Sequence, residues 1–318
     1  MIADLLKLVG GAILLVGGGE LLVRGAAAMA RSLGVSAMVI GLTVVAYGTS
    51  APEFVVSVMA SSRGNSAICG GNVVGSNILN ILLVLGITAV IFPIQAKAAF
   101  VRREVPIMVG VSALFWLLAA NGELTRLEGA LLLVLLAGYT VLTVRLARRE
   151  KKAVANSFED LPQVKRRTIA LNFVLVAIGL ALLAGGSEWF LQGAVAIARR
   201  LNVSEGLIGL TLVAAGTSLP ELAASLIAAL RKHPDMCLGN LVGSSIYNIL
   251  GIAGTAGVVA PLSFEPDMVW IHLPVMVAAA AVMWPMVYRG LMISRREGAL
   301  LLTIYAGYVG CTVWRAAG

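Results

Sequence analysis

"GLTVVAYGTSAPE" at residues 41–53 returns as "GLTLVAAGTSLPE" at 209–221, and "GGNVVGSNILNIL" at 70–82 returns as "LGNLVGSSIYNIL" at 238–250. Each displacement is 168 residues. It holds without a gap from "GGGELLVRGA" (17–26) against "GGSEWFLQGA" (185–194) through to Pro93 against Pro261. Self-similarity at one fixed offset is the mark of a duplicated structural unit.

The chain has 318 residues, of which 59% are hydrophobic and only 13% charged, against about 25% charged in a soluble domain. Apolar runs near the roughly 20 residues needed to cross a bilayer recur along its whole length. Ten spans are expected, near 5–23, 38–60, 68–92, 104–120, 127–147, 170–191, 207–230, 237–260, 268–288 and 297–315. The fold class is therefore an all-α integral membrane protein made of two five-helix repeats. Five is odd, so the second repeat is inverted relative to the first, about a pseudo-two-fold axis in the membrane plane. Residues 1–147 form the first repeat, with its motif at 41–93. Residues 148–168 form a basic cytoplasmic linker, and 169–318 form the second repeat, with its motif at 209–261.

The first residues lack a basic leader region and a small-residue cleavage site, so they read as a retained span. The net charge of +8 does not point to nucleic acid, because the basic residues form no patch interleaved with aromatics. With the N-terminus outside, most of the 24 Lys and Arg residues fall in the loops after spans 1, 3, 5, 7 and 9. That is the positive-inside pattern, and it places both termini outside or in the periplasm of a plasma (inner) membrane. Cys69, Cys237 and Cys311 are too few and scattered for a disulfide framework or a thiolate metal site. Cys69 and Cys237 are repeat equivalents, which inversion places at opposite faces.

The polar residues inside the apolar runs carry the chemistry. Pro52 has no N–H to offer the carbonyl of Gly48 and clashes with it, so span 2 should break there, as span 7 should between Gly216 and Pro220. Broken backbone at membrane depth is tolerated where it is buried in protein or lines a watery cavity. Beside the breaks stand Thr49, Ser50 and Glu53, and Thr217, Ser218 and Glu221. Spans 3 and 8 add Asn72, Ser76 and Asn80, and Asn240, Ser244 and Asn248, each set on one helix face. Gly71 and Gly75 provide a small-residue surface for a close neighbour. An intramembrane carboxylate costs about 2.5–3.5 kcal/mol on insertion scales, and two of them in matched settings imply function. Carboxylate, hydroxyl, amide and carbonyl oxygens without His or Cys suit a hard cation such as Ca²⁺ or Na⁺.

"GTSAPE" with "GSNILN", then "GTSLPE" with "GSSIYN", resembles the paired alpha repeats of the sodium/calcium exchanger family, within the calcium:cation antiporter superfamily. The resemblance covers nearly the whole chain. It implies a cavity for several Na⁺ or one Ca²⁺ formed by helices 2, 3, 7 and 8. The implied side-chain ligands are Thr49, Ser50, Glu53, Ser76 and Asn80, with Thr217, Ser218, Glu221, Ser244 and Asn248; the implied carbonyl ligands are Ala46 and Ala214. Family members often carry Asp where this chain has Asn248, which leaves the Na⁺ stoichiometry open.

The expected function is a secondary antiporter exchanging Ca²⁺ for Na⁺ by alternating access, without enzymatic activity or a resident cofactor. Its expected partners are the two ions and membrane lipid, with no nucleic acid, and a monomer is the expected state. A Ca²⁺/H⁺ exchanger could use the same carboxylates, but the many neutral oxygens favour Na⁺. An intramembrane hydrolase could use two facing carboxylates as an acid/base pair, yet the matched hydroxyls would then be redundant. Glu20 and Glu188 also pair across the repeats; Arg24, four residues after Glu20, suggests a local ion pair that Gln192 does not reproduce. Spans 1 and 6 are long and rich in Gly and Ala, and are expected to slide together over the core, with Gly18 and Gly186 on the sliding surface.

Overall fold

The computed structural model describes residues 1–155, 166–201 and 214–317. Its helices are α1 (Ile2–Leu33), α2a (Ala37–Thr49), α2b (Ala51–Ser62), α3 (Ser66–Ile91), α4 (Ala98–Ala119), α5 (Arg126–Ala155) and α6 (Arg166–Arg200). The second half continues with α7a (Ala214–Thr217), α7b (Leu219–Leu230), α8 (Pro234–Val259), α9 (Met268–Gly290) and α10 (Arg295–Ala317). Each expected span is helical over its described residues to within a residue or so at its ends, the two helix breaks apart. The start of span 7, including 209–213 of its motif, and the central part of the linker lie outside the described residues.

Six helices among the described residues are long and apolar enough to cross a membrane, and the bent pair α2a–α2b makes a seventh. Helix α4 carries Arg102, Arg103 and Glu104 near its start, and α10 begins with Arg295, Arg296 and Glu297, which is why neither reads as a purely apolar span. Large apolar side chains such as Val16 on α1, Val134 on α5 and Phe173 on α6 face outward. A soluble protein would bury that much hydrocarbon, so these faces meet lipid: the chain is a multi-pass membrane protein.

Contacts recur with the two copies exchanged, as a two-fold axis between them requires. Strands β1 (Ile94–Gln95) and β4 (Met292–Ile293) pair antiparallel with Ile94 opposite Ile293; β2 (Glu123–Leu124) and β3 (Leu262–Ser263) pair with Leu124 opposite Leu262. Helices α5 and α10 start with the same capping arrangement, Thr125 with Glu128 and Ser294 with Glu297, the acceptor oxygen 2.7 Å from each cap residue's backbone N–H.

Helices α1 and α6 cross backbone against backbone. A Cβ on Gly18 would lie 2.8 Å from the Gly179 carbonyl oxygen, and one on Gly186 would lie 3.0 Å from that of Gly11. This corrects the expectation for Gly18 and Gly186: they face the partner helix, where any side chain would force the pair apart, rather than the ion-binding core.

Candidate ion site

At the first break Ser50 leaves helical geometry (φ −82°, ψ 8°), and Ser218 does the same at the second (φ −91°, ψ 8°). The prolines sit in the first turn of α2b and α7b, where a missing N–H costs least. The chain bends by 48° between α2a and α2b. Pro220 deprives the Gly216 carbonyl of its helical donor, and Ser187 of α6 supplies a replacement, its hydroxyl 2.6 Å away. Each break presents its glutamate inward from the first turn of the following helix, both with 1% exposure.

Helices α3 and α8 close the site. Both pass through a π-helical stretch, Leu79–Val84 and Asn248–Ala253, which holds Asn80 in the first case and starts at Asn248 in the second. An extra residue in the turn re-aims the side chains that follow, and such turns gather at functional sites. Gly239 and Gly243 let α8 lie against α2a, with added Cβ atoms 2.7 Å from the carbonyls of Met38 and Leu42.

The copies meet at this point. Ser50 donates to a carboxylate oxygen of Glu221 at 2.8 Å, a bond between residues 171 apart in sequence. The Thr49 hydroxyl lies 3.1 Å from the Asn240 amide oxygen and 3.3 Å from the Ala46 carbonyl. That same carbonyl accepts from Ser244 at 3.3 Å. Asn72 donates to the Glu53 carbonyl and to Ser57, and Asn240 donates likewise to the Glu221 carbonyl and Ser225. With its nitrogen committed there, Asn240 turns its oxygen toward Thr49.

Buried polar side-chain atoms nearly always find hydrogen-bond partners. Here both carboxylate oxygens of Glu53, the second oxygen of Glu221, the amides of Asn80 and Asn248 and the hydroxyl of Ser218 have none among the described residues. Leaving a buried acceptor unsatisfied costs about 1–3 kcal/mol each, so a set concentrated between α2b, α3, α7b and α8 is shaped for a ligand that accepts oxygen lone pairs. Among the described residues no group of three His, Cys, Asp or Glu could hold a metal ion. The site's oxygens are therefore two carboxylates among neutral donors, the set that suits Na⁺ or Ca²⁺.

Thr49, Ser50, Glu53, Ser76, Asn80, Ser218, Glu221, Ser244 and Asn248 are all at most 3% exposed. Thr217 ends α7a at the second break, and Ala46 and Ala214 lie one turn before Ser50 and Ser218. Sequence reasoning missed Ser57 and Ser225, which accept from the two asparagines; each stands four residues after its glutamate, and that spacing was the available signal. It also missed Glu104, fully buried in α4, which accepts from Tyr139 at 2.9 Å and pairs with Arg103 at 2.6 Å. His272 and Tyr308 occupy the corresponding places in the second copy, 2.8 Å apart. His233, in the turn before α8, is held below its ordinary pKa by burial and then by Arg31.

The sequence profile described as "Sodium/calcium exchanger protein" matches residues 4–145 and 171–314. This chain belongs to the sodium/calcium exchanger family. It is 40% identical over 269 residues to a putative antiporter, CaxA, of Alkalimonas amylolytica, covering 83% of this chain and 84% of that one. It is 32% identical over 298 residues to the sodium/calcium exchanger MaX1 of Methanosarcina acetivorans, covering 83% and 85%. Among solved structures it resembles the sodium-calcium exchanger NCX_Mj with a TM-score of 0.84 and 33% identity, over 97% of this chain and 98% of that one. Membership makes the protein a cation antiporter of this family, and the chain carries both of its motifs.

Proposed function

We propose that this protein exchanges Ca²⁺ for Na⁺ across a plasma (inner) membrane, with both termini outside and the segment between α5 and α6 in the cytoplasm. The observation that carries this reading is the meeting of the two breaks, Ser50 of the first on Glu221 of the second, beside buried oxygens of Glu53, Glu221, Asn80 and Asn248 that lack hydrogen-bond partners among the described residues. Two carboxylates match the charge of one Ca²⁺, so the loaded site crosses close to electrically neutral. Hydroxyl and amide oxygens from Thr49, Ser50, Ser76 and Asn80, with Thr217, Ser218, Ser244 and Asn248, complete a shell, and the carbonyls of Ala46 and Ala214 join it. Several Na⁺ can divide the same oxygens among themselves, which makes the two loads mutually exclusive. The names of MaX1 and NCX_Mj as sodium/calcium exchangers support this choice of ions.

The protein itself performs no bond chemistry on this reading; it holds an ion and exposes it to one side at a time. A cavity of about 710 Å³ lies between α2b and α6, reaching Gly48, Gly216 and Thr217 at the edge of the site. By the charge rule α2b leads to the outer face, so this state opens outward. The test is ⁴⁵Ca²⁺ uptake into proteoliposomes with Na⁺, K⁺ and H⁺ gradients imposed one at a time. Uptake driven by an outward Na⁺ gradient is expected. Uptake driven by the proton gradient alone would contradict the Na⁺ coupling and favour a Ca²⁺/H⁺ exchanger.

A further inference from the structure

The backbone crossing of α1 on α6 and the frame of the core each follow the two-fold relation, Ser50–Glu221 excepted, but their packing on one another does not. Within the pair, Gly11 on Gly186 mirrors Gly179 on Gly18, and the Asp4–Arg200 contact at 2.9 Å has its counterpart in Asn172–Ser32 at 3.2 Å. Within the core, the strand pairs and the bonds of Asn72 and Asn240 are equivalent. Between the two bodies, Gly48 and Gly216 both face α6, through Leu180 and Leu191, where symmetry would give one of them α1. Helix α1 packs on α7b, with Gly19 against Ile227 and Ala223. On the matching side, Ser187 and Val55 instead line the cavity between α6 and α2b.

This one-sided packing is fastened by an ion pair. Arg231, at the end of α7b, reaches Glu20 of α1 at 2.7 Å, and Arg24 also pairs with Glu20. Exchange of the copies turns Glu20 into Glu188 and Arg231 into Arg63. Both residues are of the right charge, both are exposed, and among the described residues they form no ion pair with each other. Glu188 accepts from Gln192 at 3.1 Å, which orients its carboxylate without neutralising it.

We propose that Glu20–Arg231 and Glu188–Arg63 are alternative latches between the α1–α6 pair and the core, one closed in each of the two access states. In the state seen here the first is closed and the cavity stands open beside the second. Moving the pair to the symmetry-related position opens the first, closes α6 on α2b and brings Glu188 to Arg63. A half-exposed carboxylate–guanidinium pair is weak and screened by salt, so it can bias a state without trapping it. The proposal rests on the antiport reading only in that antiport needs two such states.

The test uses the full chain with Cys311→Ala, since Cys311 is the exposed native thiol. Two double variants are compared, E20C with R231C and E188C with R63C. Under mild oxidation the first is expected to cross-link in the resting protein, and the second only as the population shifts to the other state. Each cross-linked protein should bind ⁴⁵Ca²⁺ yet exchange at least about tenfold more slowly, with recovery on reduction. As a second measurement, R63E should slow exchange and the added E188R should restore it. The proposal is overturned if 63–188 never cross-links while exchange continues, if the 20–231 cross-linked protein exchanges at full rate, or if R63E with E188R is no faster than R63E alone. If both cross-links form in alternation but Na⁺ drives no Ca²⁺ flux, the latches stand and the ion assignment fails.

Discussion

On the proposed reading Glu53 and Glu221 are the residues on which ion binding turns, and each belongs to a copy of the same motif. Among the described residues Glu53 has neither oxygen partnered, whereas Glu221 accepts from Ser50. Neutralising either one relieves the cost of holding charge at membrane depth but removes the attraction for a divalent ion. E53Q and E221Q are therefore expected to remain folded and to lose at least about tenfold in Ca²⁺ affinity, roughly 1.4 kcal/mol, in ⁴⁵Ca²⁺ binding to purified protein. Wild-type affinity in either would remove that glutamate from the site. Asn248 is the repeat counterpart of Asn80 and brings a neutral amide to the set. N248D adds a third titratable group among buried oxygens, so its transport should acquire a pH dependence beyond that of the parent. Superimposable pH–rate profiles would mean that residue 248 does not face the ion.

At the level of elements, the broken helices were legible because proline chemistry is local: Pro52 and Pro220 each demand a break at a known carbonyl. What answers that carbonyl was not legible, because the donor comes from a distant helix. Ser187 of α6 bonds Gly216, and the first copy has Gly19 at that place, with no side chain to offer. S187A strands a buried acceptor, for which about 1–3 kcal/mol is the usual cost; a lower melting temperature in detergent is expected, and an unchanged one would show that the bond contributes nothing. The glycines of α1 illustrate a second limit. Periodicity in a helix that is apolar all round cannot say which glycine meets lipid and which meets a neighbour. Gly17 has open space beside it while Gly18 touches the α6 backbone. G18A should destabilise the protein by about 1–3 kcal/mol and G17A should leave the melting temperature unchanged. Equal effects would contradict the backbone-to-backbone crossing.

For the molecule as a whole, the repeat was the most informative feature in the sequence, because an odd number of spans per copy converts duplication into a two-fold relation. The paired strands and the mirrored capping of α5 and α10 follow that relation. The departure from it, α6 against both breaks, cannot be read from residues at all, since it records which of two packings the chain has adopted. The site is a product of the symmetric part: each copy brings a glutamate, hydroxyls and asparagines, and the site exists only where they meet. On the proposed reading, one set of oxygens serves either ion but not both. The most direct measurement is equilibrium ⁴⁵Ca²⁺ binding to the purified protein as Na⁺ is raised at constant ionic strength and pH, with choline as the balancing cation. Bound ⁴⁵Ca²⁺ should fall to background along a cooperative curve, with a Hill coefficient for Na⁺ above one. Retention of ⁴⁵Ca²⁺ in excess Na⁺, or equal displacement by choline, would contradict a shared site.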